Sequence, residues 1–469
     1  MAADSTRRDF LKLSALGLTA MVGARPDLLA AELFPAIQTW VTNAKAQFAK
    51  GQTLRWRSGS PTGAAITLDP ARKQQEILGF GAAFTDASCY MFNQLPESTR
   101  ERLFHELFHP SEMGLSIGRT CIGASDYSTE AYTFDDGDPD PDLKRFSIAH
   151  DRTYILPMLR QARAVNPDLF LFSSPWSPPG WMKTGGSVLG GSMRKAFFSS
   201  YAAYLLKFLN AYREEGVPIE AITVQNEVDA DQNGRMPACL WGQEYEIEFV
   251  RDHLGPLLEA NHAGTKIWIL DHNYNLWGRV MDELDDPGLR QYANAVAWHG
   301  YAGNVESIAK VHAAYPAVGM HWTEGGPDYT SPDYATDWAK WSKTFTGALR
   351  NWCQSVTGWN LALDEKGRPN IGPFPCGGLV TIDSQSKEIT RSGQYHAMAH
   401  YSRCIQRGAH RFKSEGAVAG VDHVAFENPN GKKVLVVTNS GPGRTVKLRL
   451  GELVTNLVCD ENSVTTALW

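Results

Sequence analysis

Eight short apolar runs, each followed by an amphipathic segment, alternate from about Ile77 to residue 405. They predict an α/β fold closed as a (β/α)8 TIM barrel. From about Arg411 the character changes to alternating strands with tight turns, which predicts a small β-sandwich. Strand-like segments between Thr53 and Leu68 stand outside the barrel rhythm and need a sheet to complete, so they are expected to join that sandwich. An open doubly wound sheet is the competing arrangement. No Gly-x-Gly-x-x-Gly follows the first run to support it.

The N-terminus reads as an address. Thr6-Arg7-Arg8-Asp9-Phe10-Leu11-Lys12 precedes the modest apolar run Leu13 to Ala24, which resembles a twin-arginine export signal. The run is too short to span a bilayer. It implies a periplasmic or secreted protein. The expected layout is an export segment over 1–31, N-terminal sandwich strands over 50–76, the barrel over 77–405 and the C-terminal sandwich over 406–469.

Within the barrel, strands are expected to begin near Ile77, Leu115, Leu169, Ala221, Lys266, Ala295, Val318 and Val356. Pro96 opens a helix, as proline suits a first turn. Asp151 to Val165 has apolar residues at helical spacing, and Lys195 to Glu215 is a long helix ended by Gly216. Gly242 to Ala260, Val305 to Tyr315 and Tyr334 to Cys353 follow the same pattern. In the last section Asn428-Pro429-Asn430-Gly431 marks a hairpin before Val434-Leu435-Val436-Val437, and Val446 to Leu450 alternates strictly.

Composition narrows the function. The 469 residues carry a net charge of −6 and no long basic run, so nucleic acid has no electrostatic footprint here. Seven widely scattered Cys without a Cys-x-x-Cys argue against a zinc cluster or a dense disulfide framework. Reduced thiols fit a chain that folds before export. The 14 Trp and 16 Tyr supply flat rings that suit stacking on sugar faces.

Catalytic residues of such barrels sit at the C-terminal ends of strands. Here those ends are polar or aromatic: Thr85-Asp86, Arg119 to Tyr127, Ser174 to Pro179, Asn226-Glu227, Asp271-His272-Asn273, His299-Gly300-Tyr301, Glu324 and Trp359-Asn360. Glu227 ends the fourth run and Glu324 the seventh. Two carboxyls on one barrel rim, about 5–5.5 Å apart, are what retaining glycoside hydrolysis requires. Ionised Glu324 is expected to keep a proton on Glu227 near neutral pH. Asn226 is placed to bond a sugar 2-hydroxyl, and Tyr301 or His299 to donate to Glu324. Asp86 equally suits a helix cap, Trp176 packing, and His299 a satisfied core histidine. Asp271-His272 could start a metal site, but no partner cluster is visible, and neither metal nor cofactor is expected.

Taken in order, several motifs resemble glycoside hydrolase family 30, the glucosylceramidase-like retaining β-glycosidases. They are Gly79-Phe80-Gly81 with Thr85-Asp86-Ala87, Ser174 through Thr184, Gln225-Asn226-Glu227, His299-Gly300-Tyr301, Thr323-Glu324-Gly325 and Gly358 through Leu363. The resemblance implies a barrel with a side β-sandwich. It makes Glu227 the acid/base and Glu324 the nucleophile, and puts Asp86, Trp176, Asn226, Tyr301 and Trp359 in the glucose subsite. Val228 to Met236 and Gly325-Gly326-Pro327-Asp328 depart from the lysosomal ceramide-cleaving pattern, so the leaving group stays open. The expectation is hydrolysis of β-glucosides, with a β-glucoside, glucan or glucolipid as substrate. Endo-β-1,6-glucanase or β-xylosidase action is the alternative within the family. A non-catalytic carbohydrate-binding surface protein is the alternative of another class. An acyl hydrolase lacks its Gly-x-Ser-x-Gly elbow.

Overall fold

The computed structural model describes residues 36–59 and 63–469. The export segment read at 1–31 lies outside the described residues. The chain opens with β1 (Gln38–Asn43), β2 (Ala46–Lys50), β3 (Arg57–Ser58) and β4 (Ile66–Glu76). The barrel staves follow as β5 (Gly79–Phe84), β6 (Ile117–Cys121), β7 (Phe170–Ser174), β8 (Ala221–Thr223), β9 (Lys266–Asn273), β10 (Ala293–His299), β11 (Gly319–Glu324) and β12 (Ser355–Asn360). All neighbours are parallel, and β12 pairs with β5 to close the ring. Each stave begins within two residues of its expected start.

The lower lumen is packed solid, as such barrels are. Phe170 and Phe172 from β7 meet Trp268 from β9 there, with His321 of β11 stacked on Trp268 at 4.1 Å. Burial pushes the His321 imidazole down to about 3, so it packs as a neutral ring. The upper lumen is polar and opens towards the strand C-termini.

The outer helices fall where the periodicity puts them, with local departures. The long helix covers Phe198–Glu214, preceded by a 3-10 turn at Lys195–Phe197. Gly242 to Ala260 is helical but widens into a π-turn over Phe249–Leu254. Pro256 follows at once and has no N–H for an α-type bond, which fits a slip in the ladder there.

After β12 the chain forms a small sheet, β13 (Ala362–Leu363), β14 (Val380–Ile382) and β15 (Ile389–Arg391). The excursion between β13 and β14 carries Phe374, Pro375 and Cys376 to the barrel mouth. The remaining strands are β16 (His410–Glu415), β17 (Val421–Glu427), β18 (Lys433–Asn439), β19 (Arg444–Leu450), β20 (Leu453–Cys459) and β21 (Ser463–Leu468). With β1–β4 they make one curled ten-stranded sheet in the order β2-β1-β21-β18-β17-β16-β4-β19-β20-β3. Ile66, Leu68, Phe412, Leu435, Val446 and Leu448 form its own core. Its other face docks on the barrel through buried hydroxyls. Ser342 meets Thr438 at 2.6 Å, and His400 bridges Thr42 and Thr466 at 2.8 and 2.9 Å.

The N-terminal contribution is larger than expected. β1 and β2 lie ahead of the 50–76 segment in which the N-terminal strands are expected. Their hairpin turns at Ala44-Lys45 without Gly or Pro. The Asn43 side chain accepts from the backbone N–H of Lys45 at 2.8 Å and of Ala46 at 3.0 Å, and so builds the turn itself. No helix among the described residues is long and apolar enough to cross a membrane.

Candidate active site

The C-terminal ends of the staves surround a cavity of about 380 Å³, within the range of small-molecule sites. Of the residues expected there, Trp176, Asn226, Glu227, Tyr301, Glu324 and Trp359 line it, joined by Asp126, Gln232, Met236, His272 and the 374–376 excursion.

Glu227 is delivered by backbone strain. β8 stops at Thr223, and the chain runs on buried to Asn226, whose N–H bonds to Pro175 O at 2.8 Å. Glu227 then takes a left-handed φ of +52°, with its N–H on Asp271 O at 2.9 Å. Leu270 and Asp271 are also left-handed, at +72° and +47°. Such conformations cost non-glycine residues on the order of 1–3 kcal/mol each and gather at functional sites. Glu324 is placed by packing. Gly300 and Gly325 clasp Trp322 so closely that a Cβ would come within 2.7 and 2.3 Å of its indole. Gln394 Nε2 also pins Gly325 O at 2.8 Å.

Beneath the cavity Arg119 organises the charges. Its fully buried guanidinium donates to Glu324 Oε2, to Asp271 Oδ2 at 2.8 Å, to Asn226 Oδ1 at 2.7 Å and to Ser174 Oγ at 3.2 Å. It lies 4.7 Å from the Trp176 ring and 5.4 Å from Trp359, which stack on each other at 5.1 Å. Asp271 also accepts from Ser174, Thr223 and Thr323 hydroxyls at 2.7–2.9 Å. Burial alone would raise its carboxyl. Arg119 and His299 overcome that and hold it far below the usual carboxylate range. Tyr301 donates to Glu324 Oε1 at 3.1 Å.

His299 is fully buried and lies under the cavity rather than in its lining. Its Nδ1 stands 3.4 Å from Glu227 Oε1, and its Nε2 stands 3.8 Å from Glu324 Oε2. One imidazole therefore spans the gap between the two glutamates. Burial would lower its pKa, but Glu324, Asp271 and Glu227 raise it to about 9. This reverses the expectation for Glu227. Burial does raise its carboxyl, but the close approach of His299, the charge of His272 and a 3.0 Å bond from Gln232 win, and the net shift is downward. The shift therefore runs opposite to the one that the charge of Glu324 alone would give.

Asp86 is the other correction. Its carboxylate is fully engaged away from the cavity, by Thr129 N–H at 2.8 Å, His150 Nε2 at 2.5 Å and Tyr154 OH at 2.9 Å. It opens the helix Asp86–Asn93, after the capping Thr85. Asp126, from the end of the next stave, occupies the cavity wall. Burial, then the charges of Glu324 and Glu227, push its pKa well up, which favours a neutral carboxyl able to donate. Arg119 and Asp126 were within the strand-end segments the sequence marks as polar. What could have singled out Arg119 is its place mid-stave, where a buried cation requires anionic partners.

Comparison with known proteins agrees with this architecture. The model of the glycosyl hydrolase family 30 TIM-barrel domain matches residues 77–405, and that of the family 30 beta sandwich domain matches 408–467. An endo-1,6-beta-D-glucanase of Neurospora crassa is 31% identical over 94% of this chain and 97% of its own. The lysosomal acid glucosylceramidase of Mus musculus is 29% identical over 81% of this chain and 78% of its own. Among solved structures, an endo-beta1,6-glucanase superimposes with a TM-score of 0.83 at 29% identity, covering 92% of this chain and 99% of that one. By fold, by both domains and by sequence, the chain belongs to glycosyl hydrolase family 30.

Proposed function

We propose that the protein is a retaining β-glycosidase that cleaves β-1,6-linked glucan by double displacement. The observation that carries the chemistry is the pair Glu227 and Glu324, facing one cavity across a single imidazole. Glu324, held ready by Arg119 and Tyr301, attacks the anomeric carbon as Glu227 passes a proton to the departing oxygen. Glu227 then takes a proton from water, which attacks the same carbon and frees Glu324. The linkage is supported by the two endo-1,6-glucanases that match nearly the whole chain. The main expectation from the sequence is a β-glucoside hydrolase of the glucosylceramidase/β-glucosidase type with its leaving group open; glucosylceramide is therefore the second reading, supported by the mouse relative and by Phe374, Pro375 and Met236 at the cavity. Incubation with a linear β-1,6-glucan and, separately, with glucosylceramide tests the choice. Oligosaccharides from the glucan with little ceramide released is the expected result. Ceramide release with an intact glucan overturns it. Export through Arg7-Arg8 is part of the same proposal. All seven cysteines are unpaired, in keeping with folding before translocation.

Glu227→Gln is expected to slow cleavage of glycan or alkyl leaving groups by about 10²–10⁴-fold, and activated aryl leaving groups far less. Equal losses on both would remove Glu227 from the acid role. The pH profile supplies a further check. The His299 imidazolium, 3.4 Å from Glu227 and raised to about 9 by the surrounding carboxylates, is the group expected to hold the proton that Glu227 delivers. The basic limb of kcat/KM is therefore expected close to 9. In a folded His299→Asn variant the carboxyl of Glu227 titrates alone and the limb moves to lower pH. A limb left in place would show that His299 plays no part in holding the proton.

A further inference from the structure

Two imidazoles approach Glu227 in the same manner. His299 presents Nδ1 at 3.4 Å from Glu227 Oε1 and is tied through Nε2 to Asp271 at 3.0 Å. His272 presents Nδ1 at 3.6 Å from the same oxygen and is tied through Nε2 to the half-exposed Asp229 at 2.5 Å. The ligand atoms of Glu227, His272 and His299 all lie within 4.8 Å of one another, and the two rings meet at 75°. His299 Nδ1 is buried and has no hydrogen-bond partner among the described residues.

An imidazole whose Nε2–H is locked on a carboxylate keeps its Nδ1 lone pair for a ligand, and this backing is the usual second layer of a metal site. Two histidines and one carboxylate, with room for water in the adjoining cavity, match an open zinc site. Ligands at 2.0–2.2 Å from a tetrahedral ion stand about 3.3 Å from each other, so both nitrogens already sit near the required spacing from Glu227. Nitrogen donors favour borderline ions over calcium or magnesium.

We propose that Glu227, His272 and His299 form a reversible site for a divalent transition ion of the Zn²⁺ class, and that its occupation silences the enzyme by engaging Glu227. The binding half stands apart from the hydrolytic reading, and only the silencing rests on it. The ion must compete with the proton on His299, so affinity in the micromolar range is expected rather than that of a structural zinc site.

The test is calorimetric titration of the chelator-treated full chain with ZnCl₂ near neutral pH. Hydrolysis of a linear β-1,6-glucan, whose leaving group needs the acid, is followed in parallel, and Co²⁺ serves as an absorbing substitute. The expected result is one saturable Zn²⁺ per chain, a raised thermal midpoint, and loss of hydrolysis that EDTA reverses. His272→Ala and Asp229→Asn should each weaken binding about 10–100-fold, and the Co²⁺ bands should vanish in His272→Ala. No saturable binding up to millimolar Zn²⁺, or undiminished binding in both variants, overturns the site. If His272→Ala does not fold, Asp229→Asn alone decides, since Asp229 is half-exposed. Saturation with hydrolysis unchanged overturns the silencing and the acid role of Glu227 together.

Discussion

Replacing Glu324 by alanine is expected to lower turnover of an aryl β-glucoside by about four to six orders of magnitude. Added azide should restore part of that rate and yield the α-glycosyl azide. Glu324 is nearly buried at the end of β11, with one oxygen held by Arg119 and the other by Tyr301. Both contacts favour the anion and aim it into the cavity. Alanine leaves space where the carboxylate stood, and azide entering there attacks the same face of the sugar. With no covalent intermediate the product is inverted, which distinguishes rescue of a missing nucleophile from general stimulation. Arg119 retains Asp271, Asn226 and Ser174 in the variant, so the fold is expected to survive. Full activity in Glu324→Ala would remove it from the nucleophile role.

Arg119→Met is expected to cost about 3–5 kcal/mol of stability, because Asp271 and Glu324 lose the cation that their burial depends on. Activity should fall at least 10²–10³-fold, as for loss of a preorganised donor beside the reacting charge. Arg119→Lys should rescue neither fully. One ammonium cannot reach Ser174, Asn226, Asp271 and Glu324 in the planar fork that the guanidinium provides. Urea unfolding gives the first quantity and initial rates give the second. Wild-type behaviour of the lysine variant would reduce Arg119 to a simple counter-charge.

The barrel was legible because each stave is a compact apolar run ending in polar residues, even β8 with three residues in the ladder. The glutamates stood out for the same reason, since each follows a buried strand directly. What escaped were features set by partners distant in sequence. The β1–β2 hairpin turns on an Asn43 side chain instead of glycine. Asp86 and Asp126 follow neighbouring staves, and only three-dimensional contact shows that His150, Tyr154 and Thr129 claim the first. The direction of the Glu227 shift escapes the sequence because the charge of Glu324 is visible there and the approach of His299 is not. The imidazole of His299 arrives from the end of β10, and its sign is opposite.

The central claim is that Glu227 and Glu324 act in sequence through a glycosyl-enzyme. Proton NMR of the first turnovers on a β-glucoside reports it directly, before the free sugar mutarotates. The β-anomer is expected to form first, the outcome of two inversions at one carbon. Initial release of the α-anomer would mean a single displacement by water and would contradict it.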